Sequence, residues 1–156
     1  MPREKAAIAV YGATGFTGRY VALEVAAQAE SVGGRVLLAG RNRERLEAVA
    51  AQVRTALKSS RQGENIEVDV MVADVSDPAS VKEMVSEARV LINCVGPFRK
   101  YGEIVVRTCV EVGTDYVDVC GEPEFMEGML LRYGDAARSA GVVIISACGF
   151  DSIPAG

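Results

Sequence analysis

The amino-acid sequence predicts an α/β fold, a doubly wound parallel sheet of about six strands with helices on both faces. Short runs of β-branched and other apolar residues alternate along the chain with stretches whose apolar residues recur at helical spacing. The runs begin roughly 25 to 30 residues apart, which is the length of a strand followed by a crossover helix. With 156 residues, the chain has the length of one domain.

Six apolar runs are the predicted strands, and right-handed crossovers through the intervening helices would make them parallel. The last run has four apolar residues in succession at 142–145, without polar alternation. We therefore expect both of its faces to be covered, as in a parallel sheet. The predicted strands are 6–11, 35–39, 67–72, 90–93, 116–119 and 142–146.

Five amphipathic stretches are the predicted helices. Asp77 and Pro78 open the third, because Asp is a good N-cap and Pro suits the first helical turn. Gly113 ends the fourth, and Gly141 is the expected C′ glycine of the fifth. The polar stretch 58–65 is predicted to be a surface loop. The apolar stripes are Gly18, Val21, Ala22, Val25 and Ala29; Leu46, Val49, Ala50, Val53 and Leu57; Val81, Met84, Val85 and Ala88; Val105, Thr108, Cys109 and Val112; and Met126, Met129, Leu130, Tyr133, Ala137 and Ala140.

Composition excludes several classes of function. The chain has no histidine, which excludes Ser-His-Asp triads, Cys-His dyads and histidine metal sites from these residues. Its 21 acidic and 17 basic residues argue against a nucleic-acid surface, which needs clustered cations. No apolar stretch approaches the ~20 residues that span a bilayer, and none resembles a signal-peptide core. The four cysteines are too far apart for a CxxC pair, so we expect reduced thiols, no metal and a cytoplasmic location.

A glycine-rich segment follows the first predicted strand and opens the first predicted helix, with the pattern GxxGxxG. In a Rossmann-type domain, glycine at this point allows a tight turn, close approach of the backbone to a pyrophosphate, and tight packing of helix on sheet. The helix N-terminus then presents unpaired N–H groups to the anion. The alternative is a structural turn rich in small residues. The cofactor-binding residues predicted here are Gly12, Thr14, Gly15, Phe16, Thr17 and Gly18.

The end of the second strand indicates which dinucleotide would bind. NAD-specific domains usually carry Asp or Glu there for the ribose 2′-hydroxyl, whereas an Arg accommodates a 2′-phosphate. Residues 40–43 read Gly-Arg-Asn-Arg and contain no carboxylate. We therefore predict NADP(H) rather than NAD(H), with Arg41 and Asn42 at the adenosine end. The alternative places the following arginines, Arg43 and Arg45, on the solvated face of the second helix.

Two further strand ends are predicted to face this site. In a sheet of strand order 3-2-1-4-5-6, the ligand crevice opens between strands 1 and 4. The segment after strand 4 is therefore expected opposite the glycine loop, along the nicotinamide half of the cofactor. Asp74, after strand 3, is placed to meet the adenine, although capping a turn explains this carboxylate nearly as well. The predicted contacts after strand 4 are Asn93, Cys94, Val95, Gly96 and Pro97.

The usual proton donors for carbonyl reduction are missing from the chain. Short-chain dehydrogenases use a Tyr-x-x-x-Lys pair, and no tyrosine here is followed by lysine at that spacing. Acidic and thiol side chains at the strand ends could line a substrate cleft. However, buried cysteines mostly act as small core residues, and loop carboxylates mostly cap helices. We assign no catalytic residue; the candidates weighed are Asp118, Cys120, Glu122, Cys148 and Asp151.

Four segments together resemble the saccharopine dehydrogenase-like oxidoreductases. They read GATGFTG at 12–18, NCVGPF at 93–98, YVDVCGE at 116–122 and GFDSIP at 149–154. The resemblance covers essentially the whole chain and is much more specific than the glycine loop alone. The first and last segments are more similar to the trans-acting enoyl reductase-like branch than to true saccharopine reductases.

This resemblance implies a two-domain oxidoreductase, of which residues 1–156 are the N-terminal NADP-binding domain. That domain would hold the nicotinamide for hydride transfer to a small-molecule or lipid-type substrate, bound by a second domain that this chain lacks. Alone it would be inactive; a homodimer, and association with membranes or lipid droplets, stay open for the full-length protein. The alternatives are a redox-sensing regulator that binds NADP(H) without catalysis and, least favoured, a scaffold that has lost its nucleotide.

Overall fold

Six strands form one parallel sheet in the computed structural model, which describes residues 4–32, 34–59, 66–149 and 153. The strands are β1 (Ala6–Tyr11), β2 (Arg35–Gly40), β3 (Glu67–Val72), β4 (Ala88–Asn93), β5 (Asp115–Asp118) and β6 (Ile144–Ile145). Their order across the sheet is β3-β2-β1-β4-β5-β6, and every pair is parallel. This order confirms the predicted doubly wound sheet. The strands β1 to β3 are added towards one edge and β4 to β6 towards the other, so the order of strands reverses between β1 and β4.

Five helices connect the strands and cover both faces of the sheet, as predicted. They are α1 (Phe16–Val32), α2 (Arg43–Ser59), α3 (Pro78–Ser86), α4 (Phe98–Val112) and α5 (Pro123–Ala140). The helices α1 and α2 pack on one face, against strand residues that include Val10 and Leu38. The other three pack on the opposite face, against strand residues that include Leu37 and Leu91. Because Leu37 and Leu38 are neighbours on β2, their side chains point to opposite faces and both are buried.

Local residues define the helix ends that the sequence predicts. The Asp77 side chain accepts a hydrogen bond from the N–H of Ala79, and Pro78 occupies the first turn of α3. Gly113 and Gly141 follow α4 and α5 with φ of +76° and +68°, the left-handed conformation that glycine adopts at a helix C-terminus. These caps satisfy backbone groups that the helices leave unpaired.

Several predicted boundaries are wrong by a few residues. β2 extends to Gly40, β4 begins at Ala88 rather than at residue 90, and β5 covers 115–118 rather than 116–119. β6 contains only the two residues paired with β5, so the prediction of 142–146 is too long. The helix α2 continues to Ser59, so Lys58 and Ser59 are helical rather than part of a loop. Residues 60–65 of that predicted loop lie outside the described residues.

The edge of the sheet at β6 is less covered than predicted. Val143 and Ile145 are 51% and 49% exposed, because β6 is the last strand and Ile145 points away from the core that packs Ile144. Leu130, predicted in the buried stripe of α5, is 72% exposed, and Ala140 is exposed as well. Met129 and Ala137 of the predicted stripe are buried as expected, together with Phe125, which the stripe did not include.

Candidate functional site

A crevice of about 470 Å³ opens where β1, β2, β3 and β4 end. It lies at the reversal of strand order, which is where open α/β sheets bind their ligands. Residues from the ends of all four strands, and one residue of α4, form its walls. The lining residues are Tyr11, Gly12, Thr14, Gly15, Gly40, Arg41, Asp74, Val75, Ser76, Cys94, Val95, Gly96 and Tyr101.

The glycine loop brings the N-terminus of α1 close to β1. The N–H of Gly12 donates to the carbonyl of Ala39, and the N–H of Gly15 donates to the carbonyl of Gly12. Gly12 has φ of +85°, which an L side chain would strain. A Cβ on Gly18 would overlap the carbonyl oxygen of Gly12 and lie 2.7 Å from its carbonyl carbon. The turn and the close approach of helix and strand therefore both require glycine.

The loop after β4 lies directly against the glycine loop. The N–H of Cys94 donates to the carbonyl of Tyr11 at 2.8 Å. A Cβ on Gly12 would lie 2.9 Å from Cγ2 of Val95 and 3.1 Å from the carbonyl carbon of Cys94. The two loops therefore pack side by side where they line the crevice, and Gly12 leaves room for Val95.

Arg41 and Asp74 line the end of the crevice at β2 and β3. The Oδ1 atom of Asp74 accepts hydrogen bonds from the backbone N–H and the hydroxyl of Ser76, at 2.8 and 2.7 Å. These bonds hold the pKa of Asp74 below its ordinary value, and the nearby Arg41 cation lowers it further. Asp74 therefore shapes its own turn and also faces the crevice, so the two interpretations of this residue are compatible.

Six of the predicted binding residues do not line the crevice. Phe16 and Thr17 point to solvent; Phe16 is 76% exposed, meets the Tyr20 ring edge-to-face and lies beneath the Arg19 guanidinium. Gly18 is buried beneath the loop. The other three are Asn42, Asn93 and Pro97.

Asn42, Asn93 and Pro97 have structural partners near the crevice. The side-chain oxygen of Asn42 accepts from the N–H of Arg45, so Asn42 caps α2. Asn93 is fully buried beneath the loop that follows β4. Pro97 is the N-cap residue of α4 and borders a separate cavity together with Glu122.

Five lining residues were not predicted from the sequence. Tyr11, Gly40, Val75 and Ser76 each lie within two residues of a predicted contact, so extending each predicted strand end would find them. Tyr101 belongs to α4, and only the packing of that helix turns it towards the crevice.

Burial in the crevice raises the pKa values of Tyr11 and Cys94. Burial, followed by the nearby Asp74 carboxylate, raises the pKa of Tyr11 to about 12, and its hydroxyl donates to the carbonyl of Ala73. Burial, followed by the Asp118 carboxylate, raises the pKa of Cys94 to about 11. Neither group is poised to exchange a proton near pH 7.

Among the acidic and thiol candidates at the strand ends, Cys120 and Glu122 have the structural contacts expected from the sequence. Cys120 is buried, and the Glu122 carboxylate accepts from the N–H groups of Phe98 and Arg99, at 2.8 and 3.0 Å, which caps α4. Asp118 is fully buried and Cys148 is partly buried; neither is among the crevice residues. Asp151 lies outside the described residues.

Glu122 provides an expected pH dependence. The N–H groups of Arg99 and Phe98 hold the pKa of Glu122 below its ordinary value of 4.5. The ionised cap therefore stabilises the fold above that pH, and its contribution is lost as the pH falls through the lowered pKa. Glu122→Gln is expected to reduce the free energy of unfolding at pH 7, and the difference should shrink as the pH falls below the ordinary carboxyl pKa of 4.5. Urea unfolding at several pH values measures this.

The control for this prediction is Glu124→Gln, which removes an exposed carboxylate in the first turn of α5. Its difference from the unchanged chain should vary less with pH than that of Glu122→Gln. A Glu122→Gln difference that stays constant down to pH 3 would show that the charge of the cap does not contribute.

The sheet order, the glycine loop and the crevice at the switch point define a dinucleotide-binding domain of the Rossmann type. The family model of the saccharopine dehydrogenase NADP-binding domain matches residues 8–145. The chain belongs to this family and is an NADP(H)-binding domain.

Similar proteins cover most of this chain but extend well beyond it. A saccharopine dehydrogenase-like oxidoreductase of Mus musculus is 45% identical over 152 residues, which are 95% of this chain and 35% of that protein. A lipid droplet localized protein of Caenorhabditis elegans is 42% identical over 149 residues, 95% of this chain and 34% of its own length. A candidate trans-acting enoyl reductase of Mycobacterium tuberculosis is 42% identical over 149 residues, 94% of this chain and 33% of its own length. This chain therefore spans about one third of the relatives it matches.

The fold has a counterpart among solved structures. Saccharopine dehydrogenase (L-Glu forming) from Saccharomyces cerevisiae superimposes with a TM-score of 0.66 at 18% sequence identity. The match covers 94% of this chain and 28% of that one. At this identity the comparison supports the fold alone.

Proposed function

We propose that this chain is the cofactor-binding part of an NADP(H)-dependent oxidoreductase. In this proposal, hydride passes between the nicotinamide and a substrate bound by another part of the full-length protein. The observation that carries it is the crevice, which is lined by the Arg41 cation, the glycine loop and the loop after β4. The names of the similar proteins, which include oxidoreductases, support it.

The residues of the crevice fit NADP(H). The first N–H groups of α1, from Phe16, lack partners within the helix and can donate to a pyrophosphate above Gly12 and Gly15. Arg41 suits a 2′-phosphate, which places the adenosine half at β2 and β3, beside Asp74. The nicotinamide half then extends along the loop after β4. When bound, the nicotinamide supplies or accepts the hydride, and this chain's residues orient it.

The crevice supports binding without turnover by this chain alone. Reduction of a C=C, C=N or C=O bond also requires a proton, and the pKa values of Tyr11 and Cys94, about 12 and about 11, make both poor donors. We propose that the substrate, which we expect to be a small molecule or a lipid-type compound, and its proton donor meet the nicotinamide from outside residues 1–156. We also propose that the full-length protein forms a homodimer and has no nucleic-acid partner.

The test compares the 156-residue chain with the full-length protein. We expect the chain to bind NADPH in a calorimetric titration, and to leave it unoxidised when an aldehyde or an enoyl thioester is added. The full-length protein is expected to transfer deuterium from the C4 position of labelled NADPH to a reduced product. Turnover by the chain alone would contradict the proposal that the substrate and its proton donor lie outside residues 1–156.

An NADP(H)-sensing regulatory domain without catalysis is the second candidate. The raised pKa values of Tyr11 and Cys94, which make both poor proton donors, favour it. A regulator would bind NADPH and NADP⁺ with different affinities and change its affinity for a partner, and its full-length form would transfer no deuterium. The labelling experiment therefore separates the two candidates.

The compartment is a further part of the proposal. Among the described helices, none is both long and apolar enough to cross a membrane. The four cysteines are free, and we propose a cytoplasmic protein on the basis of this thiol usage. The name of the C. elegans relative makes lipid droplets the alternative. Imaging of a fluorescent fusion of the full-length protein distinguishes the two.

A further inference from the structure

A fully buried carboxylate, Asp118, lies at the end of β5 and joins two loops. Its Oδ1 atom accepts from the backbone N–H groups of Cys120 at 2.9 Å and Ala147 at 3.0 Å. Its Oδ2 atom accepts from the hydroxyls of Tyr116 at 2.8 Å and Ser146 at 3.0 Å. Four donors thus surround a group that, when ionised, can only accept.

Ala147, which follows β6, has an unusual backbone conformation and is bonded to this carboxylate. Its φ is 60°, a left-handed conformation that is uncommon for a residue other than glycine. The N–H of Ala147 is one of the four donors to Asp118, and the N–H of the next residue, Cys148, donates to the Asp118 carbonyl at 2.7 Å. The loop after β6 is therefore held by both the side chain and the backbone of Asp118.

The hydrogen bonds continue from Asp118 to the wall of the crevice. The Tyr116 hydroxyl donates its hydrogen bond to Asp118, so its oxygen is left to accept from Nδ2 of Asn93, at 3.2 Å. That orientation of the Asn93 amide directs its Oδ1 atom to the N–H of Val95, at 3.0 Å. Val95 in turn packs against Gly12: a Cβ added to Gly12 would lie 2.9 Å from the Cγ2 atom of Val95.

The register of the sheet places this chain of bonds beside the crevice. Asn93 of β4 pairs with Tyr11 of β1 on one side and with Asp118 of β5 on the other. The three residues therefore form one row across the ends of neighbouring strands. Asn93, Tyr116 and Asp118 are fully buried, which shields the hydrogen bonds among these three side chains from water.

We infer that Asp118 is a positioning residue for the cofactor site: it orients Tyr116 and Asn93, and so holds the loop after β4 where the nicotinamide half binds. The inference rests on the proposed function, which places the nicotinamide along that loop. Asp118 acts because it is an obligate acceptor at the end of the chain of bonds. The Tyr116 hydroxyl must therefore donate to Asp118, and the Asn93 NH₂ group must donate to Tyr116. This leaves the side-chain oxygen of Asn93 to accept from the N–H of Val95.

Replacing this acceptor by an isosteric amide is the first test. In Asp118→Asn, the remaining oxygen can still accept from Cys120 and Ala147, but an NH₂ group replaces Oδ2. Tyr116 must then accept from that group and donate to Asn93. The Asn93 amide would turn over to accept this proton, and its NH₂ group would meet the N–H of Val95.

The affinities for two ligands show which half of the cofactor site the substitution affects. Asp118→Asn is expected to weaken NADPH binding about tenfold, which is the effect of losing one hydrogen bond in the wall. Adenosine 2′,5′-bisphosphate, which contains the adenosine half without the nicotinamide, should keep its affinity within about twofold. Isothermal titration calorimetry of the 156-residue chain measures both affinities.

A swapped pair provides a rescue that a merely structural role would not predict. Asp118→Asn combined with Asn93→Asp moves the obligate acceptor to the other end, so that Tyr116 donates towards β4 and the N–H of Val95 again finds an oxygen. Most of the lost NADPH affinity should return. Tyr116→Phe removes the link instead; it should weaken NADPH binding to a similar degree and add little to Asp118→Asn.

The outcomes separate this inference from the proposed function. Equal weakening of both ligands, an unchanged NADPH affinity in Asp118→Asn, or no recovery in the swapped pair would overturn the role of Asp118 while leaving NADP(H) binding intact. If the unchanged chain bound both ligands equally well, the nicotinamide half would contribute no affinity, and the inference would be wrong. If Asp118→Asn does not fold, the two-ligand comparison with Tyr116→Phe decides.

Discussion

Gly18→Ala is expected to lower the NADPH affinity of the chain by roughly a hundredfold or more, and the free energy of unfolding by about 3 kcal/mol or more. The added Cβ would overlap the carbonyl oxygen of Gly12 and lie 2.7 Å from its carbonyl carbon. These are backbone atoms, which cannot rotate away as a side chain can. The helix α1 would therefore have to retreat from β1, and its N-terminal N–H groups would move away from the pyrophosphate position.

A glycine elsewhere in a helix provides the matched control. Gly134 lies within α5, and a Cβ there would meet only the Cδ1 atom of Leu130, at 3.3 Å. Leu130 is exposed and can turn aside, so Gly134→Ala should raise the free energy of unfolding by up to about 1 kcal/mol through helix propensity. Its NADPH affinity should not change.

Urea unfolding and calorimetry of both glycine variants give the comparison. If Gly18→Ala bound NADPH as tightly as the unchanged chain, the glycine loop would not be the pyrophosphate site. If both variants lost affinity, the effect would come from the replacement of glycine in general rather than from the contact with Gly12.

Arg41→Ala is expected to weaken NADPH binding by about 10- to 100-fold and to change NADH binding by less than about twofold, because a hydrogen bond between charged groups contributes about 1.5–3 kcal/mol. Arg41 lines the crevice at the end of β2, where the 2′-phosphate of the adenosine ribose is proposed to lie. The neighbouring Asp74 carboxylate would repel the phosphate once the cation is gone. The loss should therefore be largest at low ionic strength, where charges are least screened.

Arg43→Ala is the control, because it removes the same charge from a side chain two residues away. Arg43 is 66% exposed and its ion pair, at 3.7 Å, is with Glu47 on the surface of α2. Its replacement should change neither affinity beyond about twofold. Equal losses of NADPH and NADH affinity in Arg41→Ala would show that Arg41 binds a part common to both cofactors. Equal NADPH losses in the two variants would indicate general attraction by positive charge.

Local residue types were sufficient to predict the fold. Apolar runs at regular spacing define strands and helices, and right-handed crossovers leave few arrangements of parallel strands. The glycine loop was also predictable, because the positive φ of Gly12 and the close approach at Gly18 are demands that a short segment makes on residue type. The prediction was weakest at β6, where the apolar run 142–145 does not reveal that the strand is the edge of the sheet.

Residue type and chain position thus determined the strand order, the conformation of the glycine loop and the prediction of NADP(H) from Arg41. The tertiary structure alone decided that Asn93 faces Tyr116 rather than the crevice, and that Tyr101 of α4 lines it. It also decided that Asp118 ends a chain of hydrogen bonds leading to Val95. The reason is physical: a helix cap or a turn depends on neighbours in sequence, whereas these contacts depend on the register of β4 with β5 and on the packing of α4, which no short segment encodes.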